Sequence, residues 1–544
     1  MGYRAWLWPA VIVLASGLLV AAADAGSAQR KGGTLRISLD RDLDSVDPAL
    51  AYTAESWALE YATCAKLYTY PDKPLPDGAV VIPEVATSFP TVSTDGKTVT
   101  IGLRSTFRFS TGKAVTAANF VAAFNRDADP DLQSPAASYL HEIVGADAVL
   151  DGKAKTISGV TAVDRFRLQI RTTRPLADLV YRLTLPFFCP IPIDTPPREI
   201  DDPVGSGPYY VVSRVPSRVT MVKRNPYYSG ARPANVDQIV WSVGLGAEAC
   251  RAAVEQDQAD YCGAAGVPAG DYRELAATYG VNRSGGQLFF EPTLAIVYFA
   301  FNHDRPAFKG RGQIALAKAI NWAIDRPALV RTLGYLGGER TDQILPPAIG
   351  RDASLYPLGG VTQRSLVKAR ELLAQATFKP KSLVLYAGGG PTRLWAQIFQ
   401  FNLERLGIEV DIKYFPTGGA MLAQAGTRGE PFDVAIASWG PDYADGFGYF
   451  GPLLDGDQLT ATGNANIAYF DRPKYNREIE RIESLSGEAR SKAWADLDVE
   501  MMRDDPPWAP FMVLSNVDFV SKSFGCYVFQ PAISHLDLAA ACKK

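Results

Sequence analysis

Between Phe432 and Asp445 the chain reads FDVAIASWGPDYAD, and its chemistry-bearing residues are an indole, Trp439, and two carboxylates, Asp442 and Asp445. A carboxylate beside an indole suits an amphipathic cation, because the acid supplies the counter-charge and the ring an apolar, quadrupolar wall. As a pair, the two acids could also be read as the carboxylates of a secreted glycoside hydrolase. Two acids in one short loop rarely flank a substrate, however, which argues against that reading. The three histidines, His141, His303 and His535, sit at no metal-ligand spacing with one another or with a cysteine pair. That pattern points away from a metal centre and a histidine-based catalytic centre, and no cofactor is expected.

The element that must hold these groups is the apolar run Val434 to Ala437. An unbroken β-favouring run predicts a strand covered on both faces, and in open α/β sheets ligands sit just beyond the carboxyl ends of such strands. The plain alternative is a solvated loop after a core strand. Other segments alternate between strand and helix patterns. Tyr209 to Val215, Val219 to Lys223, Ile239 to Val243 and Ile408 to Ile412 read as strands. Glu55 to Tyr68, Ala315 to Ile324, Lys368 to Gln375 and Leu394 to Leu406 read as amphipathic helices. Asp95-Gly96 is a hairpin signal, and Thr116 is placed to cap a helix through Phe124. Strands alternating with helices predict α/β layers.

At 544 residues the chain is too long for one hydrophobic core. It is 47% hydrophobic and 21% charged, with a net charge of −3 and no long basic block, so neither nucleic acid nor an anionic membrane surface is an expected partner. Arg4 precedes the apolar segment Leu7 to Ala23, and Ala23-Asp24-Ala25 offers a small-x-small cleavage site before Gly26. This predicts a secretory signal peptide over residues 1–25 and a periplasmic or extracellular protein. Export permits disulfides. Among the six cysteines, Cys250 with Cys262 and Cys526 with Cys542 are candidates for local bridges, whereas buried free thiols compete strongly for Cys64 and Cys189.

A series of motifs in fixed order carries a resemblance. It runs from Gly33-Thr34-Leu35, Asp47-Pro48 and Asp95-Gly96-Lys97-Thr98 through Leu103-Arg104, Phe107 to Phe109, Gly112-Lys113 and Thr116-Ala117. Gly205-Ser206-Gly207-Pro208-Tyr209, Arg224-Asn225-Pro226 with Tyr228, and Asn302 before Pro306 and Phe308 follow. Ala319-Ile320-Asn321, Ala323 to Arg326, Ala369 to Ala374, and Trp439 with Asp442 complete it. The chain thereby resembles, over essentially its whole mature length, the family 5 extracytoplasmic solute-binding proteins of peptide-type ABC transporters. Two departures stand out. Arg311-Gly312-Gln313-Ile314 replaces the family's usual Val-Arg-Gln run, and Asp445-Gly446 replaces its Asp-Pro, a change that bears on loop shape beside the ligand.

The resemblance implies a two-lobed α/β periplasmic-binding-protein fold of type II, with an extra inserted domain and the ligand cleft between the lobes. The expected divisions are 26–70 and 191–286 for lobe 1, 71–190 for the inserted domain, 287–510 for lobe 2 and 511–544 for a closing segment of lobe 1. It implies a monomer that captures a peptide or peptide-like solute by hinge closure and passes it to ABC permease subunits. A sugar oligomer, an opine or a metal chelate is the alternative solute, and a signalling receptor the alternative role. Asp442 matches the family position that meets a peptide's ammonium group, with Trp439 as the wall beside it and Asp445 nearby. Arg393, at a helix start after Gly388 to Pro391, is the candidate for a ligand carboxylate. Thr53 and Glu55 are candidates for backbone contacts to an extended peptide, and Tyr298 for a cleft aromatic.

Overall fold

A computed structural model of the chain describes residues 31–263, 266–350 and 353–544. The expected signal peptide lies outside them. Three sheets organise the molecule. The first has five strands in the order Tyr261–Cys262, Thr34–Leu39, Gln238–Val243, Val219–Arg224, Tyr209–Val215, with Thr34–Leu39 parallel to both neighbours and the others antiparallel. The second has six: Gly338–Arg340, Trp508–Phe519, Leu288–Phe301, Val434–Trp439, Ser382–Ala387 and Glu409–Tyr414. The third is a four-stranded antiparallel sheet within residues 91–171, where Thr91–Val92 and Thr98–Gly102 form the expected hairpin, with Gly96 at φ +73° in its turn.

The run read as a doubly covered strand is one. Val434–Trp439 lies between Leu288–Phe301, antiparallel, and Ser382–Ala387, parallel. Its alternate side chains enter two separate cores: Val434 and Ile436 pack with Phe299, Phe399 and Phe511, whereas Ala435 and Ala437 pack with Tyr298, Trp494 and Trp508. Period-two alternation inside an all-apolar run is what lets one strand serve both faces. By contrast, the first and third sheets share one continuous core that runs from Leu35 through Phe124 and Leu168 to Trp241.

Two helix boundaries show where tertiary contacts override local pattern and where local pattern holds. Ala54–Thr63 begins where Thr53 accepts the Ser56 N–H, but it stops five residues short of the expected Tyr68. Its last carbonyl, on Thr63, instead accepts the N–H groups of Ser206 and Gly207, and a Cβ on Gly207 would stand 2.6 Å from the Cys64 nitrogen. The Gly205-Ser206-Gly207 motif is thus a close backbone approach that ends the helix. At the other boundary, Ala117–Asp127 starts as expected from Thr116, which forms a reciprocal cap with Asn119.

The chain passes between the first and second sheets as a paired ribbon. Leu288 opposes Phe519, Val520 and Gln287 bond through both backbone and side chain, and Tyr261 bridges to Val520. The boundary expected at Pro510 is therefore corrected. Trp508–Phe519 continues in the second sheet beyond Pro510, because its ladder with Leu288–Phe301 extends to Phe519.

Candidate functional site

Asp442 stands on the loop after Val434–Trp439, and that loop is anchored on both sides of it. The indole Nε1–H of Trp439 donates to the Gly448 carbonyl at 2.8 Å, so Trp439 offers a half-buried ring face and no free donor. After Asp442 the loop enters the core of the first and third sheets. The Tyr443 hydroxyl donates to Asp178 at 2.8 Å and the Ala444 N–H to the Tyr70 hydroxyl at 3.1 Å.

Asp442 itself bonds to residues from two distant parts of the chain. The Tyr52 hydroxyl donates to its two oxygens at 3.2 and 3.3 Å, and the Tyr139 hydroxyl donates to Oδ2. Tyr52 and Tyr139 both stack on Phe187, at 6.1 and 6.2 Å between ring centroids, and Trp57 meets Tyr52 edge-on at 5.6 Å. The carboxylate therefore sits at the mouth of an aromatic cluster. Burial raises the Asp442 carboxyl above the ordinary aspartate range, and the two phenol hydrogen bonds offset part of that rise. Burial and the facing Asp442 charge push the Tyr52 hydroxyl up to about 12 and raise Tyr139 as well. Among the described residues no cation pairs with Asp442. A half-buried acid whose only partners are neutral hydroxyls can still accept a cationic group.

Asp445 has a different role from the one expected. It is buried and paired in parallel with Arg490, Nη2 to Oδ1 at 2.6 Å and Nε to Oδ2 at 2.9 Å, and it also accepts the Phe447 N–H. With its oxygens engaged it holds the loop rather than a ligand. The Asp445-Gly446 departure has a steric cause, since a Cβ on Gly446 would lie 2.4 Å from the Trp494 ring.

Thr53 is exposed and ties its loop down, with Oγ1 donating to Asp44 at 2.7 Å. The N–H groups of Tyr52 and Thr53 also bond to Asp44, at 2.8 and 3.1 Å, so those two backbone donors are already engaged. Glu55 is half-buried, 3.8 Å from Arg41. Tyr298 is corrected from a cleft aromatic to a core residue: it is 2% exposed and stacked on Trp508 at 3.9 Å, inside the second sheet's core. Arg393 is exposed on Thr392–Glu404 with its guanidinium over the Tyr414 ring at 4.9 Å, beside the edge strand two removed from Val434–Trp439. The structure brings neither residue to Asp442.

Tyr52, Tyr139 and Phe187 escaped the sequence reading. Tyr52 directly precedes Thr53, and an exposed aromatic in a loop after Asp47-Pro48 was the available signal. Nothing local marks Tyr139 or Phe187.

All six cysteines are paired, as Cys64–Cys189, Cys250–Cys262 and Cys526–Cys542. The first bridge replaces the free thiols weighed for Cys64 and Cys189.

Residues 80–460 match the family model described as bacterial extracellular solute-binding proteins, family 5 Middle. The chain is 27% identical over 457 residues to the periplasmic murein peptide-binding protein MppA of Escherichia coli (strain K12), covering 80% of each chain. It is 23% identical over 451 residues to the periplasmic oligopeptide-binding protein OppA of the same strain, covering 80% of this chain and 79% of OppA. Among solved structures it superposes on clavulanic acid biosynthesis oligopeptide binding protein 2 with a TM-score of 0.82 at 25% identity, covering 94% of this chain and 95% of the other.

Proposed function

The chain belongs to family 5 of the bacterial extracellular solute-binding proteins, and from that premise we propose that it is an exported, monomeric receptor. It captures a peptide or peptide-like solute between its lobes and hands it to an ABC importer. The names of MppA and OppA, a murein peptide-binding and an oligopeptide-binding protein, support a peptide as the solute and the periplasm as the compartment. Three disulfides fit an oxidising compartment.

One observation carries the reading. Asp442, at the position that the family resemblance assigns to a peptide's ammonium group, is a half-buried carboxylate met, among the described residues, by the Tyr52 and Tyr139 hydroxyls alone. An ammonium entering there gains a counter-ion that desolvation has made more effective, and Trp439 lends its ring face beside it. Capture needs no bond-making step, so the function is binding without turnover. Closure follows from differential contacts, because a solute that touches both lobes favours the conformation in which both reach it.

Two measurements test this. Native mass spectrometry of gently purified protein should show a ladder of retained masses spaced by amino-acid residues, and a single non-peptide mass would discard the peptide. Calorimetry with a tripeptide and its N-acetyl form should show Asp442→Asn weakening the free-amine ligand by at least about tenfold and leaving the acetylated one unchanged. Equal affinity of the wild type and Asp442→Asn for the free amine would remove Asp442 from the site.

A further inference from the structure

Where the chain passes between the first and second sheets lies a cavity of about 520 Å³, a size that encloses a small molecule. One wall is the turn of residues 282–286, with Phe289 and Glu291 from the start of Leu288–Phe301. The other is residues 524–529 with 542–544, braced by the ladder between Phe524–Gly525 and Cys542–Lys543 and by the Cys526–Cys542 bridge. Asp442 does not line it.

The ionisable side chains of these walls divide into engaged and free. Tyr527 donates to Asp518 at 2.8 Å, Lys543 to Asp260 at 2.6 Å and Lys544 to the Gly285 carbonyl at 2.7 Å. Arg283 is exposed and Glu291 half-buried, and among the described residues neither has a hydrogen bond or an ion pair. Burial and the charge of Asp518, which stands opposite Phe289 on the next strand, raise the Glu291 carboxyl above the ordinary glutamate range. The backbone keeps these two opposite charges close together. Asn282 clasps Phe290, its Nδ2 donating to the Phe290 carbonyl at 3.0 Å and its Oδ1 accepting the Phe290 N–H at 2.8 Å. Arg283 follows one half of that clasp and Glu291 the other, and the Gly286 N–H closes the turn on the Arg283 carbonyl at 2.8 Å. A half-buried carboxylate without a partner gains from a cation, and a free guanidinium from a carboxylate.

We propose that this cavity binds a free amino acid with an apolar side chain, its ammonium group on Glu291 and its carboxylate on Arg283. Both charged groups of an amino acid leave one carbon, which suits two counter-charges carried by neighbouring backbone positions. Phe289 shares the strand face of Glu291, two residues away, and stacks on Tyr527 at 3.7 Å between ring centroids. An apolar side chain therefore lies against that aromatic pair when the ammonium is at Glu291. A plain amine would leave Arg283 unmatched and a plain carboxylate would leave Glu291 so, which favours the zwitterion over either. Recognition here uses neither Asp442 nor Trp439, so the site stands whether or not the solute in the cleft is a peptide.

The probe is para-fluoro-L-phenylalanine, followed by fluorine NMR on the intact protein. It should bind saturably to the wild type and to Asp442→Asn alike. Glu291→Gln and Arg283→Gln should each weaken it by at least about tenfold. The N-acetyl probe, which lacks the ammonium group, should bind weakly to the wild type and no worse to Glu291→Gln. The carboxamide, which lacks the carboxylate, should stand in the same relation to Arg283→Gln. Neither replaced side chain has a polar partner to lose, and circular dichroism checks that both variants are folded. Unchanged affinity in both variants, or an acetylated probe that binds as well as the free amino acid, would overturn the site. Loss of the probe in Asp442→Asn would overturn it too, by placing the amino acid in the solute cleft.

Discussion

At the residue scale, the chemistry at Asp442 is set by what surrounds it rather than by the acid alone. Burial raises its carboxyl above the ordinary range, while the Tyr139 and Tyr52 hydroxyls favour the charged form. An ammonium ligand binds the deprotonated carboxylate and lowers its pKa again, so the complex holds fewer protons than the free protein at mildly acidic pH. Affinity for a free-amine peptide should therefore be flat at neutral pH and fall by about tenfold per unit once pH drops below the raised pKa of the unoccupied site. Calorimetry across pH 3 to 8 reads this directly, and a profile that does not change in Asp442→Asn would sink the assignment. Gly446 gives a second prediction at this scale. With Trp494 2.4 Å from the position of an added Cβ, Gly446→Ala should cost about 1–3 kcal/mol in denaturant unfolding by overpacking. An unchanged midpoint would mean that the Trp494 ring can give way.

At the element scale, bridges and ladders decide which segments act together. Cys64–Cys189 joins the end of Ala54–Thr63 to the turn after Pro186–Phe188 across a separation of 125 residues, tying the two flanks of the third-sheet segment to each other. Replacing both cysteines by serine should lower stability by about 2–5 kcal/mol, chiefly by freeing the unfolded chain. The check is the denaturant midpoint of the double variant under non-reducing conditions, where no change would deny the bridge its role. The paired passage at Gln287 and Val520 belongs to this scale as well. Two strands that leave the second sheet hydrogen-bonded to each other bend as one ribbon, which restricts lobe motion more than two separate loops would.

At the scale of the whole molecule, the segment carrying the third sheet is bonded to the part of the chain that follows the Val434–Trp439 strand. Tyr443 bonds to Asp178, which pairs with Arg182; Arg182 shares Glu142 with Arg174, and Arg174 reaches Glu483 at 3.1 Å. The buried Tyr443 hydroxyl donates to a carboxylate, and such a bond is worth about 1.5–3 kcal/mol. The partly exposed Arg174 to Glu483 pair is worth less, because solvent screens it. Tyr443→Phe combined with Arg174→Ala should therefore shift ligand-free protein toward more separated lobes, seen as a larger radius of gyration in solution scattering that ligand reverses. An unchanged radius would show that the lobes are held by other contacts.

Local pattern determined much of this architecture. The apolar run at Val434, the Thr116 cap and the Asp95-Gly96 turn were legible because periodicity and backbone preference act over a few residues. Asp442 and Trp439 were singled out through the family motif that carries them, and their part in binding belongs to the proposal. The tertiary structure alone decided that Tyr52 and Tyr139, 390 and 303 residues away in the chain, reach Asp442. It also decided that Asp445 turns to Arg490, that Cys64 finds Cys189, and that Tyr298 is sealed against Trp508. An apolar or acidic residue in a short window looks the same whether it lines a cleft or a core. Which it does depends on the surface that packing brings against it, and that surface comes from segments hundreds of residues distant.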